Sequence, residues 1–222
     1  MEPVRAAFAA ECGRFGGVLS ELTDDDLGRP TDCPPWTVRD LVAHVRTGVG
    51  RLADMLAAPA PPRAEVDAAG YFGVAKFTAE VDADRIAGGQ REALRVGRAA
   101  LATEFDRAWR ATEAAVAAAP PDRVVRTRHG DAMLVGEFLR TRVVEVGAHG
   151  LDLAAALGRP AWLTTSAAAV IGDLLTDGRP TPAGLGWDRP ALIRKVTRRV
   201  ALTAPERAVI DAAGFRWLSF GR

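Results

Sequence analysis

Apolar residues recur along much of the chain at intervals of three and four, the period of a helix with one buried face. In residues 2–23 they are Val4, Phe8, Cys12, Phe15, Leu19 and Leu22, which predicts a first helix. Thr23-Asp24-Asp25-Asp26 and Gly28-Arg29-Pro30 break it. A second helix follows the proline-rich entry Cys33-Pro34-Pro35-Trp36. Thr37-Val38-Arg39-Asp40 has the form of a capping box, in which the threonine oxygen takes a free backbone N–H at the helix start. Val38, Leu41, Val45, Leu52 and Leu56 make its apolar stripe, and Pro59, Pro61 and Pro62 end it.

Residues 63–90 lack a clear period and contain Gly70, Gly73, Gly88 and Gly89, so a long loop with a short helix is expected there. An alanine-rich third helix is predicted over 91–118, then a short extended link over 123–128. A fourth helix is predicted over 132–157, closed by the stop signal Gly158-Arg159-Pro160. Short helices follow over 165–175 and 191–199, and Thr203 is placed to cap a last one. The pattern predicts an all-α fold: a four-helix bundle over 1–160, with a helical C-terminal extension over 161–222 packed on it.

Composition narrows the function classes. The chain has 222 residues, 48% of them apolar, enough for a sizeable core. Its 29 Lys and Arg nearly balance 28 Asp and Glu, which argues against a protein that mainly grips nucleic acid or anionic membrane. Two cysteines, Cys12 and Cys33, are too few for a disulfide framework. No secretory signal pattern and no apolar run of about 20 residues is visible, so a soluble cytoplasmic protein is expected.

The candidate chemistry gathers on two helices. Only three histidines occur, His44, His129 and His149, and two of them fall inside predicted long helices. Glu145 and His149 are four residues apart and share a face with Asp152, Phe138 and Ala156. A carboxylate on that face points into the bundle, where an unpaired charge is costly and a metal would offset the cost. His44 lies at the edge of its own apolar stripe, beside Leu41, Gly48 and Met55, and Gly48 leaves room one turn later. One ligand from the second helix and two from the fourth would leave a divalent metal one open position, the catalytic pattern for zinc. A hydrogen-bonded His44 near an ion-paired Glu145 explains the same spacing without a metal. Asp152 is either an orienting partner of His149 or an ion-paired helix residue. Arg51 and Arg142 lie near the same faces, as solvated or ion-paired residues or as holders of substrate or thiol. His129 sits in a glycine-flanked loop, as an exposed loop histidine or a mobile acid or base. Cys33 precedes a helix start, as a packed residue or a stabilised thiolate, and Trp36 is an apolar anchor at the end of the bundle. Arg194, Lys195, Arg198 and Arg199 form a basic run, either a solvated helix face or a holder of an anionic substrate.

The segment from Cys33 to His44, CPPWTVRDLVAH, resembles the helix entry of mycothiol-dependent maleylpyruvate isomerase-like proteins. The segment from Arg142 to Ala154, RVVEVGAHGLDLA, resembles the last bundle helix of that family, which belongs to the DinB-like metalloenzyme superfamily. The likeness covers roughly residues 1–160. It implies that His44, Glu145 and His149 bind the metal, zinc being the first expectation and nickel also suited to a His₂Glu site. It further implies mycothiol as thiol cosubstrate and a small electrophile as substrate. The true isomerases carry a separate α/β domain that supplies a functional arginine; the tail here is short for such a domain, and the sequence alone places no counterpart.

The function expected is therefore isomerisation or S-transfer by a metal-dependent enzyme that uses a low-molecular-weight thiol, acting as a monomer or homodimer without nucleic-acid or membrane partners. The rivals are a zinc hydrolase that activates water and a bundle whose metal is structural or regulatory.

Overall fold

The computed structural model describes residues 1–73 and 77–218. Four helices close a bundle: α1 (Glu2–Leu19), α3 (Val38–Ala57), α6 (Leu101–Ala118) and α7 (Val135–Leu157). Helices α1 and α3 each pack against both α6 and α7. The side chains predicted to face inward do so: Phe8, Cys12 and Phe15 of α1, Leu41, Val45 and Leu52 of α3, and Phe138 of α7 are buried. Phe15 meets Phe105 of α6 with ring centres 5.0 Å apart. Burying each such side chain is worth about 1.5–3 kcal/mol, so this seam holds the bundle together.

Local signals set the helix ends. Thr37 Oγ1 accepts from the Asp40 backbone, and Asp40 Oδ2 accepts from the Thr37 N–H at 3.0 Å, so the expected capping box starts α3. Gly158 ends α7 in the left-handed region at φ 64°. The Thr23 cluster does more than break α1: it caps the four-residue helix α2 (Asp24–Leu27).

Residues 63–118 differ from expectation. The short helix exists, as α4 (Ala68–Tyr71), but 79–95 is helical too: α5 (Ala79–Arg95) opens on a Thr78 cap. The expected 91–118 helix is therefore two helices, parted by an extended Val96, Gly97 and the 3₁₀ turn Arg98–Ala100. Gly88 and Gly89 weaken the local helix signal, but α5 is fixed from outside by packing on α3. Residues 74–76 of the expected loop lie outside the described residues.

The extended link is one arm of a hairpin. Strand β1 (Val124–Arg126) pairs antiparallel with β2 (Ala132–Leu134), so α7 starts three residues later than expected. Among the described residues this is the one sheet.

The C-terminal segment holds α8 (Thr165–Thr176), α9 (Arg189–Val196) and α10 (Ala204–Ala213), with Thr203 in a capping box with Glu206. Helix α8 packs on α1 and α7, and α9 on α8 and α7. A β-carbon at Gly147 would lie 2.5 Å from Ile171 Cδ1, so glycine there lets α8 approach α7. Helix α9 stops at Val196, short of the expected 199, and Arg198 turns the chain at φ 64°. No helix among the described residues is long and apolar enough to cross a membrane.

Candidate metal centre

Helix α3 carries His44 and α7 carries Glu145 and His149, one turn apart, so the packing of α3 on α7 brings the three together. His44 Nε2 lies 2.6 Å from Glu145 Oε1, and His149 Nε2 lies 3.7 Å from the same oxygen. One donor atom from each of the three falls within a 4.8 Å cluster. Trp36, buried at the start of α3, is more than an end anchor: its ring packs on His44 at 4.5 Å, and its indole N–H donates to the Ile86 carbonyl.

The three groups polarise one another. Burial pushes the His44 imidazole below its ordinary value, against the pull of Glu145. Burial alone would raise Glu145, but Arg142, His44 and His149 hold its carboxyl well below the usual range. His149 is pushed down by burial, yet hydrogen bonds to Asp152 and Cys33 and the charge of Glu145 carry it up to about 10.

Behind His149 stands a second rank. His149 Nδ1 lies 2.9 Å from Asp152 Oδ2. Arg199 forks onto that carboxylate, Nε to Oδ1 at 3.1 Å and Nη2 to Oδ2 at 3.0 Å. Asp152 is buried, and its carboxyl is held low: burial opposes ionisation, but His149 and Arg199 outweigh it. Cys33 joins them, with Sγ 3.2 Å from Asp152 Oδ2. Asp152 thus has a specific partner on each side. Held this way, His149 can donate its Nδ1 hydrogen to Asp152 and aim an Nε2 lone pair at the space beside Glu145 and His44, which is how a metal-ligating histidine is oriented.

Sequence reasoning missed Arg199 and Cys33 as members of this cluster. Three members of the basic run are ion-paired, Arg194 with Asp32, Lys195 with Glu206 and Arg199 with Asp152, while Arg198 is exposed. Arg199 follows the end of α9, so helical periodicity could not aim it. The only local signal was the position of Cys33 just before a helix.

The centre opens into a cavity of about 590 Å³. Arg142 is buried rather than solvated; its guanidinium sits 3.8 Å from Glu145 Oε2 and 4.8 Å over the Phe138 ring. Gly48 is the low wall the sequence suggested, since a β-carbon there would meet Arg142 Nη1 at 3.2 Å. Arg51 is half-buried and lines the cavity, as does His129, a half-buried residue rather than an exposed loop histidine. Helix α5, unforeseen by periodicity, supplies another wall through Asp82, Arg85, Ile86 and Glu92.

Comparison with known proteins bears on the fold and the family. Two uncharacterised proteins of Mycobacterium tuberculosis, from strains CDC 1551 / Oshkosh and ATCC 25618 / H37Rv, are 36% identical over 67 residues, which is 30% of this chain. The chain spans only 36% of the length of these curated relatives. Crystal structures of the mycothiol-dependent maleylpyruvate isomerase and of a histidine-to-alanine mutant superpose with TM-scores of 0.50 and 0.51. They cover 82% of this chain and 73% of theirs at 17% and 16% identity, a likeness of fold. The family model described as the mycothiol maleylpyruvate isomerase N-terminal domain matches residues 8–154, a span that takes in α3, all but the last three residues of α7, and all three clustered side chains. The chain belongs to the family of mycothiol maleylpyruvate isomerase N-terminal domains.

Proposed function

We propose that His44, Glu145 and His149 hold one divalent metal ion, zinc in the first instance and nickel as the alternative. The cavity beside them binds a small thiol, mycothiol by family, together with a small electrophilic substrate. The observation that carries this reading is the convergence of the three donor atoms within 4.8 Å, with the far nitrogen of His149 engaged by Asp152. Zinc ligand distances of about 2.0–2.2 Å require donors somewhat over 3 Å apart, and the spacings of 2.6 and 3.7 Å around Glu145 bracket that value. Bound there, the metal would supply an open coordination position and lower the pKa of a thiol entering it.

The chain's own residues do the rest. One carboxylate and two neutral imidazoles leave a formal charge of +1 around a divalent ion, which favours an incoming thiolate over a neutral thiol. Asp152 keeps the His149 proton on Nδ1, and Arg199 keeps Asp152 in place. Arg142 and Arg51 line the cavity toward thiol and substrate. Addition of the thiolate forms an S–C bond and sends the π electrons of a conjugated alkene onto its carbonyl. Rotation about the resulting single bond and expulsion of the thiolate complete an isomerisation; at a carbon bearing a leaving group or in an epoxide, thiolate attack instead forms the S–C bond as the carbon–leaving-group or C–O bond breaks, the departing group or alkoxide taking the electron pair, and gives S-transfer. No protein nucleophile is needed. Residues 161–222 act as an extension of the bundle, not as a separate catalytic unit, and the protein works in the cytoplasm as a monomer or homodimer.

Cobalt substitution tests this reading. Adding the thiol to cobalt-loaded protein should produce a sulfur-to-cobalt charge-transfer band in the near ultraviolet. An unchanged spectrum at saturating thiol, with turnover in its absence, would reject the thiol reading for a water-activating one.

A further inference from the structure

The two candidate histidine ligands are supported differently. His149 has Asp152 on its far nitrogen. His44 turns Nε2 to Glu145 at 2.6 Å, and its Nδ1 makes no hydrogen bond among the described residues. A ligating histidine ordinarily takes its direction from a hydrogen bond on the ring nitrogen away from the metal. Without one, the torsion that turns an imidazole is broad. His44 has a ring in that role: the Trp36 indole lies 4.5 Å from it, centre to centre, at a tilt of 37°. The same indole is 6.2 Å from the His149 ring. Turning His44 away from Glu145 would break the stack or drive the imidazole into the indole.

Trp36 is itself fixed, and the support comes from α5. The indole is buried, and its N–H donates to the Ile86 carbonyl at 3.3 Å. Three residues on, a β-carbon at Gly89 would lie 3.2 Å from each of Nε1, Cε2 and Cζ2 of Trp36. Equal distances to three consecutively bonded atoms put that position over the face of the ring. Glycine at 89 therefore lets the α5 backbone rest on the indole, and any side chain there would press on it. Helix α5 is in turn tied to α3: Arg46 pairs with Glu92 at 2.8 Å, and Arg39 donates to the Val96 carbonyl at 3.1 Å. The ring beside His44 thus has a hydrogen bond at one edge and backbone on its face.

We propose that Trp36 is a positioning residue: seated by the α5 backbone at Ile86 and Gly89, its indole sets the direction of the His44 imidazole toward Glu145 and the metal. The effect on metal binding rests on reading His44 as a ligand; the alignment of His44 with Glu145 exists without metal. Helix α5 is then part of the metal centre's support as well as a wall of the cavity.

The test uses the full chain in three forms: metal-free, zinc-titrated and cobalt-loaded. Trp36→Leu should lower zinc affinity about tenfold, the smaller end of what losing a ligating histidine's support costs, and shift the visible ligand-field bands of cobalt. Trp36→Phe keeps an aromatic face and should restore most of the affinity and the bands. Gly89→Ala leaves Trp36 and all three ligands in place, yet should also shift the bands. Gly88→Ala should not, since a β-carbon there would meet only Arg91 Nη2, at 4.0 Å; the two glycine variants gain the same helix propensity. In the metal-free protein, NMR of isotope-labelled histidine should show a protected Nε2 proton on His44, donated to Glu145, in wild type and Trp36→Phe but not in Trp36→Leu. Wild-type affinity, bands and ring proton in folded Trp36→Leu overturn the proposal; if that variant does not fold, the same result in Gly89→Ala overturns it. A wild type that takes up no metal, with the ring proton lost in Trp36→Leu, would sink the metal reading and leave Trp36 in its role. Metal binding by wild type with every variant unchanged would do the reverse.

Discussion

At the scale of single residues, the site is organised around His149, whose two ring nitrogens face different tasks. Nδ1 meets Asp152 at 2.9 Å, and Nε2 faces Glu145 at 3.7 Å. Replacing Asp152 by Asn removes the charge that fixes the ring, and loss of such a partner typically costs about 10–100-fold in metal affinity. Isothermal titration of Asp152→Asn with zinc should show that loss while circular dichroism stays that of wild type; unchanged affinity would return Asp152 to a purely structural role. The same contact predicts a pH dependence. In the metal-free protein the His149 pKa is raised from 6.5 to about 10. A raised folded-state value means that the stability contributed by the charged imidazole is fully present below about pH 6.5 and is lost as pH rises through about 10. Zinc needs the neutral ring, so it competes with that proton, and its affinity should climb with pH across the same window with proton release on binding. Titrations in buffers of different ionisation enthalpy check this, and a pH-independent zinc affinity would show that His149 is not a ligand.

At the scale of elements, α1, α3 and α7 were legible because each carries its own stop signals; α1 and α3 bury one stripe, whereas α7 is apolar and buried on nearly every side. His44, Glu145 and His149 were legible because a helix converts sequence spacing into a shared face. Helix α5 was not, since only Gly89 and Ala93 of it are buried and its position is imposed by α3. Arg199 was not, since it lies after a helix end, where no period sets direction. Tertiary contacts of this kind also anchor α8. Buried Glu11 of α1 accepts from the Thr164 backbone N–H at 2.9 Å and from its hydroxyl at 2.7 Å, holding the start of α8. Glu11→Ala strands the Thr164 donors and should lower stability by about 1–3 kcal/mol, read from urea denaturation. Burial raises the Glu11 carboxyl above its ordinary 4.5, against the Thr164 hydrogen bonds and Arg14. Its contribution is therefore fully present below about pH 4.5 and declines as pH rises through the elevated value. Glu11→Gln, which keeps an acceptor without the charge, should flatten that part of the stability curve; an unaltered slope would assign it to other groups.

At the scale of the whole molecule, what metal removal does depends on whether the bundle needs the metal to fold. The apolar core runs continuously from α1 through α3, α6 and α7 into α8 and α9, and the three candidate ligands lie on two helices already packed together. Without metal, His44 is hydrogen-bonded to Glu145 and His149 to Asp152, so the polar groups stay partnered. A metal in such a site adds stability by mass action alone, about 2.7 kcal/mol when free metal is 100 times its dissociation constant. For a chain of this size 1 kcal/mol moves the melting temperature by about 2–4 °C, so saturating zinc should raise it by roughly 5–10 °C over the chelated protein. The far-ultraviolet circular dichroism should be the same with and without chelator at 25 °C. His44→Ala and His149→Ala should each abolish the zinc-dependent rise, and each should also lower the chelated melting temperature, because each removes a hydrogen-bond partner from a carboxylate, Glu145 or buried Asp152. Loss of helical signal on chelation would instead mark the metal as structural, as in domains whose folding free energy is largely that of binding their metal. A zinc-dependent rise that persists in both variants would place the ion at other ligands.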